Sequence, residues 1–215
     1  MNIIILGQQG SGKGTQAEKL ASKFDLVHID MGMTLREVAK MDNELGREVY
    51  DIQNVTKTLV SSRILREVLH LKLASIPINK GIVFDGVPRT LDQTSYIEES
   101  LHDFGRQLDK VFFVNISEEE SIKRISKRWT CESCKSSLIM GRDIQSGNEK
   151  CPHCGGKINQ RMDDTLEGIK KRLQVFNAET LPVIQYYSDR SLVVEIDGEQ
   201  DIEKVFEDII KNMEI

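Results

Sequence analysis

A chain of 215 residues is long enough for one sizeable domain with small insertions, and 39% hydrophobic against 29% charged residues is the balance of a soluble globular protein. The formal net charge of −5 argues against a chain whose main partner is nucleic acid, and no apolar run reaches the ~18 residues that would cross a membrane. The apolar start, Asn2 to Leu6, lacks a basic flank and stops at Gly7, so it reads as a buried strand rather than a secretion signal.

Strands are expected at 2–6, 26–28, 81–84, 110–115 and 192–196. Helices are expected at 13–23, 34–41, 59–73, 91–104, 118–127, 166–188 and 202–212. Short apolar runs alternating with longer helical patterns require crossover connections, hence an α/β fold: a parallel sheet flanked by helices. Ligands of such sheets bind beyond the carboxyl ends of the strands. Two stretches break the alternation, 30–60 with helices but no firm strand, and 128–164 with little periodicity. Both read as insertions on a core made of 1–29, 61–127 and 165–215.

Between the first strand and the first helix stands Gly7-Gln8-Gln9-Gly10-Ser11-Gly12-Lys13-Gly14-Thr15. Glycines let the backbone wrap an anion with its N–H groups turned inward, and the helix start adds partial positive charge. This is the P-loop, with ATP phosphates expected along Gly10, Ser11, Gly12, Lys13, Gly14 and Thr15. Lys13 would reach the β- and γ-phosphates and Thr15 would lie near a magnesium ion. The common pattern has Ser or Thr directly after the lysine; here Gly14 intervenes. Asp85 follows the apolar Ile82-Val83-Phe84, and a carboxylate at a strand end can hold magnesium through water.

All four cysteines fall in one stretch, as Cys131-x-x-Cys134 and Cys151-x-x-Cys154 with sixteen residues between the pairs. Without an export signal a reducing, cytoplasmic setting is the default, so the pairs read as metal knuckles rather than disulfides. Four thiolates favour zinc, with iron in the same tetrahedron as the alternative. Four protein ligands leave no open position, so the metal is expected to be structural, stapling a segment too small to build its own core. His153 is not needed while four thiols are present.

Gly-Lys-Gly-Thr-Gln from Gly12 to Gln16 resembles the adenylate kinase family and its nucleoside monophosphate kinase relatives. The likeness runs on through Asp85-Gly86-Val87-Pro88-Arg89-Thr90, Gln93, Arg161-Met162-Asp163-Asp164, Arg172, Thr180-Leu181-Pro182 and Tyr186-Tyr187. It implies a P-loop NTPase-like fold carrying a helical monophosphate-binding insertion (30–60) and a zinc-binding lid (128–164). The implied reaction is ATP + AMP = 2 ADP, with Mg2+ as cofactor and structural Zn2+, in a cytoplasmic monomer without nucleic-acid or membrane partners. By the same resemblance Arg36 and Arg89 hold the monophosphate and Gln93 reads its base. Met31, Gly32, Leu59, Val60 and Gly86 line the acceptor site. Arg124 and Arg128 attend ATP, while Arg161 and Arg172 clamp the transferring group. Guanidinium groups suit this work because they stay charged and grip phosphate bidentately.

The pattern is departed from at several points. Met31 stands where the family has threonine, Met33 for aspartate, Val87 for phenylalanine, Gln9 for proline and Trp129 for a second arginine; Lys57 and Ser62 replace a glycine and an aspartate. Most fall in the acceptor insertion, where Asp30 reads as a helix cap and Met31 as an apolar wall. They bear on which monophosphate is accepted, AMP or a pyrimidine such as UMP or CMP, more than on the reaction class. A nucleic-acid-binding zinc module attached to an ATPase is the reading from another class. Six basic against five acidic residues across 128–164 give it no electrostatic footprint.

Overall fold

The computed structural model describes residues 1–56, 60–160 and 164–213. Its elements begin with β1 (Asn2–Leu6), α1 (Lys13–Phe24), β2 (Val27–Asp30), α2 (Met31–Val38), α3 (Glu44–Asp51), a π-helical turn (Ile52–Thr56) and α4 (Ser62–Ala74). They continue with β3 (Ile82–Asp85), α5 (Leu91–Asp103), β4 (Lys110–Asn115), α6 (Glu118–Ser126), β5 (Arg128–Cys131), β6 (Ser137–Ile139) and β7 (Ile158–Asn159). The chain closes with α7 (Leu166–Val175), a second π-helical turn (Phe176–Thr180), α8 (Leu181–Ser188), β8 (Val193–Asp197) and α9 (Ile202–Lys211).

All five residues of β1 are buried, which requires cover on both faces of its sheet. Ile3 and Ile5 pack with Ala17 and Leu20 of α1 and with Val205 and Ile209 of α9. Ile4 and Leu6 turn to the other face, against Leu65, Leu69, Ile97, Val183 and Tyr187 from α4, α5 and α8. Each fully buried isoleucine contributes roughly 1.5–3 kcal/mol. The strands lie in the order β2-β3-β1-β4-β8, all parallel, with β1 in the middle. Parallel pairing brings every carboxyl end to one edge, where Asp30 and Asp85 are register partners and Ile5 pairs with Asp85.

A second sheet, β6-β5-β7, is antiparallel and lies wholly within the cysteine-bearing stretch. Cys131, Leu138, Ile144, Cys151 and Ile158 are buried together there, with Trp129 and Met140 packed against them. The expectation that this stretch has no core of its own is therefore corrected. A short hairpin, β5–β6, and the more distant β7 pool their apolar residues, and Trp129 lies so close over Gly147 that a Cβ there would come within 2.2 Å of the indole.

Local chemistry accounts for the other differences from expectation. β2 runs on to Asp30 because Ile29 is buried at its end. The next helix starts at Met31 rather than 34, because the Asp30 side chain accepts from Met33 N–H at 2.8 Å as an N-cap. The single helix expected over 166–188 is interrupted at Phe176–Thr180. Pro182 lies in the first turn of α8, has no N–H, and its ring crowds the carbonyl four residues back; a wider π turn relieves both. Among the described residues no helix is long and apolar enough to cross a membrane.

Candidate active site

The loop between β1 and α1 turns through Gly10 at φ 82° and Gly12 at φ 89°, left-handed values that cost little only without a Cβ. Gly12 caps α1 with no side-chain hydrogen bond, leaving the first-turn amides for an anion. Ser11 is buried; its N–H donates to the Gln8 carbonyl at 3.2 Å and its hydroxyl accepts from Lys13 N–H at 3.4 Å. The Lys13 ammonium lies 3.4 Å from the Gln8 carbonyl, folded back over the loop. Burial pushes its pKa below the ordinary lysine value; Arg89 and Arg128 push the same way, while Asp85 and Asp30 oppose them. Thr15, one turn on, is exposed.

Asp85 closes β3 beside this loop: a Cβ on Gly14 would lie 3.1 Å from its Oδ2. Its Oδ1 is buried and has no hydrogen-bond partner among the described residues, the condition of a carboxylate set for a hydrated cation. His28 on β2 brings Nε2 to 3.8 Å from Asp85 Oδ2, a close ion contact rather than a hydrogen bond. Burial lowers the His28 pKa, but attraction to Asp85, with the charges of Asp30 and Glu18, outweighs it and holds the ring above its ordinary value.

Five of the arginines expected at the site come from four elements and the loop after β3. Arg36, exposed on α2, lies over Gly32, where a Cβ would be 3.4 Å from its Nη1. Arg89 is exposed just past β3, its Nε donating to the Gly86 carbonyl at 2.9 Å. Arg124 on α6 donates from Nε to Glu120 at 2.8 Å and from Nη1 to the carbonyls of Gly198 at 2.9 Å and Gly10 at 3.4 Å. Arg128 and Arg172 share the fully buried carboxylate of Asp164. Arg161 and Leu59 lie outside the described residues. Of the residues expected at the acceptor site, Met31 is buried in the main core with Leu35, Val38 and Val87, and Val60 packs against its edge. Gln93 is buried, and its Oε1 accepts from the Arg89 backbone N–H at 2.8 Å.

The four cysteine Sγ atoms lie within 4.8 Å of one another, with Cys131–Cys154 at 3.5 Å and Cys134–Cys151 at 3.6 Å. A zinc–sulfur bond of about 2.3 Å sets a tetrahedron edge of ~3.8 Å, so the thiols fit that metal.

The adenylate kinase family model matches residues 5–192. The chain belongs to the adenylate kinase family. It is 37% identical over 211 residues to the adenylate kinase of Caldicellulosiruptor saccharolyticus, an alignment covering 98% of each chain. With that of Brevibacillus brevis it shares 37% over 209 residues, covering 97% of each. The adenylate kinase of Dehalococcoides mccartyi is 38% identical over 210 residues, covering 97% of this chain and 96% of its own.

Beyond the residues that carry the family likeness, the adenylate kinase fold here uses side chains with no signal in the sequence. Ser121, fully buried on α6, donates its hydroxyl to the Gln9 carbonyl at 2.6 Å and so braces the P-loop from behind. Arg106 is an arginine of another kind. Its guanidinium is buried and donates to the carbonyls of Lys80 at 2.6 Å, Ile76 at 3.0 Å and Pro77 at 2.6 Å, sealing the loop before β3. A cavity of about 690 Å³ beside Arg106, Leu108 and Leu192 opens at the amino ends of β4 and β8, away from every residue of the site.

Proposed function

We propose that the chain transfers the terminal phosphoryl group of magnesium ATP to AMP, forming two ADP. The observation that carries this reading is the electrostatic proximity of Lys13 to Asp85, Arg89 and Arg128, in a chain of this family. An AMP phosphate oxygen attacks the γ-phosphorus, and the bond to the β–γ bridging oxygen breaks with its electron pair leaving on ADP. The acceptor phosphate has a second pKa near ~6 and is already an anion, so no side-chain base is required. The task left to the protein is to bring anions together and hold charge on the moving group. Lys13 and the P-loop amides hold the donor phosphates, Arg36 and Arg89 the acceptor phosphate, and Arg161 and Arg172 the group in transit. Arg124 and Arg128 attend the donor nucleotide. Asp85, with its unpartnered Oδ1, and Thr15 would hold the hydrated magnesium that neutralises donor charge.

Gln93 supports AMP as the acceptor. Because Oε1 accepts from Arg89 N–H, the amide cannot flip without stranding that donor. Oε1 keeps one lone pair and Nε2 keeps its protons, so the group asks for a donor and an acceptor side by side. Adenine offers them as N6–H and N1, and cytosine as N4–H and N3. Guanine and uracil present the reverse order. AMP is therefore the expected acceptor, CMP the nearest competitor, and GMP and UMP poor ones. A screen of the four monophosphates with magnesium ATP tests this, and a preference for CMP, UMP or GMP would overturn the acceptor assignment while leaving the kinase class in place.

The cysteine-bearing stretch is read as a lid over ATP, stapled by a structural zinc on Cys131, Cys134, Cys151 and Cys154 and flanked by Arg128 and Arg161. Closing it would keep water from the reaction. The four free thiols suit the reducing, cytoplasmic setting inferred for this chain.

A further inference from the structure

We infer that Thr180 is a positioning residue for Arg89, joining the acceptor-phosphate loop to the helix that carries Arg172. The inference rests on the reading that Arg89 holds the acceptor phosphate. Among the described residues, Arg89 is held at its N–H by Gln93 Oε1 at 2.8 Å, at its Nε by the Gly86 carbonyl at 2.9 Å, and at its carbonyl by the Thr180 hydroxyl at 3.0 Å. The first two come from residues within four positions in the sequence. Thr180 lies 91 positions away, at the end of the π turn between α7 and α8.

A threonine inside an α-helix usually spends its hydroxyl on a carbonyl one turn back. In this turn the Phe176 carbonyl accepts from Leu181 N–H, the five-residue spacing of a π turn. The Thr180 hydroxyl instead reaches across to the Arg89 carbonyl. Thr180 is buried, and β-branching restricts its χ1, so the donor is aimed rather than mobile. With its N–H and its carbonyl both held, the two peptide units flanking the Arg89 Cα cannot rotate freely, and the direction in which its side chain leaves the loop is set. α7 runs straight into the π turn, so the same hydrogen bond ties the Arg89 loop to the helix bearing Arg172. Acceptor and transferred phosphoryl group are then gripped by parts registered to each other.

The test is the Thr180→Val variant, which keeps the branched shape and loses the donor, beside Thr180→Ser, which keeps the donor. Thr180→Ala serves as a second donor-free variant should valine disturb folding. KM for AMP should rise roughly three- to tenfold with a fall in kcat, the range one neutral hydrogen bond commands, while KM for ATP stays within about twofold. Thr180→Ser should restore both parameters. In an Arg89→Ala background Thr180→Val should add no further loss, because its effect passes through Arg89. An impaired Arg89→Ala beside an unchanged Thr180→Val, or equal rises in KM for both nucleotides, would overturn the inference. A fully active Arg89→Ala would instead overturn the underlying reading of Arg89.

Discussion

Arg128 grips Asp164 with two parallel hydrogen bonds, Nε to Oδ2 at 2.8 Å and Nη2 to Oδ1 at 2.6 Å. Arg172 joins the same carboxylate from α7 at 2.9 Å. Among the described residues only the Nε–Nη2 edge of the Arg128 guanidinium is used, which leaves the Nη1 side for a phosphate. Asp164, with no side-chain exposure, thus balances two cations before any nucleotide arrives. Replacing it by alanine leaves both without that partner. We expect Asp164→Ala to destabilise the protein by ~3 kcal/mol and to lower kcat/KM by about tenfold or more. Denaturant melts beside initial rates check this; unchanged rates would remove Asp164 from the account of the site.

Gln93→Leu should hurt twice, because the side chain both serves the acceptor base and holds Arg89 N–H. A loss of roughly 1–3 kcal/mol in kcat/KM for AMP is expected, with the gap between AMP and GMP narrowing. Steady-state kinetics with each monophosphate are the readout. An undiminished preference for AMP would show that the base is read elsewhere.

Two cations predict opposite phenotypes. Lys13→Ala should abolish most turnover, a loss of several kcal/mol in transition-state stabilisation, with little change in the melting transition. Arg106→Ala should leave turnover per folded molecule unchanged and lower stability by a few kcal/mol, because three carbonyls lose their charged donor. Coupled-assay rates beside circular dichroism melts separate the two.

Protein purified without added metal should contain one zinc per chain, and Cys151→Ser should lower zinc content and melting temperature together. The lone tryptophan, Trp129, shares β5 with Cys131 and packs in the core of the cysteine-bearing stretch, so its fluorescence should report the same loss. Because that core exists, loosening should be confined to this stretch, and far-UV circular dichroism of the α/β body should persist. A metal-free chain with unchanged melting and emission would contradict a structural metal.

What the sequence made legible follows from how locally each feature is encoded. β1, the P-loop and α1 are contiguous, and both glycine chemistry and apolar run are visible along the chain. The cysteine pairs announce themselves by spacing. β5, β6 and β7 are two to four residues long, too short for an alternation to mark them, and β7 pairs with β5 from nearly thirty positions away. Asp164, Ser121 and Thr180 act through partners 36, 112 and 91 positions away, and nothing in their neighbourhood names those partners. The π turn was hidden because the apolar pattern of 166–188 continues through it, even though Pro182 is its physical cause.

Phosphoryl transfer between two nucleotides can be followed by phosphorus NMR of the purified chain with magnesium ATP and AMP. Two ADP should form for each ATP consumed, with no inorganic phosphate beyond a trace, a rate that vanishes without AMP, and loss of the reaction in Lys13→Ala. Release of ADP and inorganic phosphate at the same rate with or without AMP would contradict it, and would make the chain an ATPase.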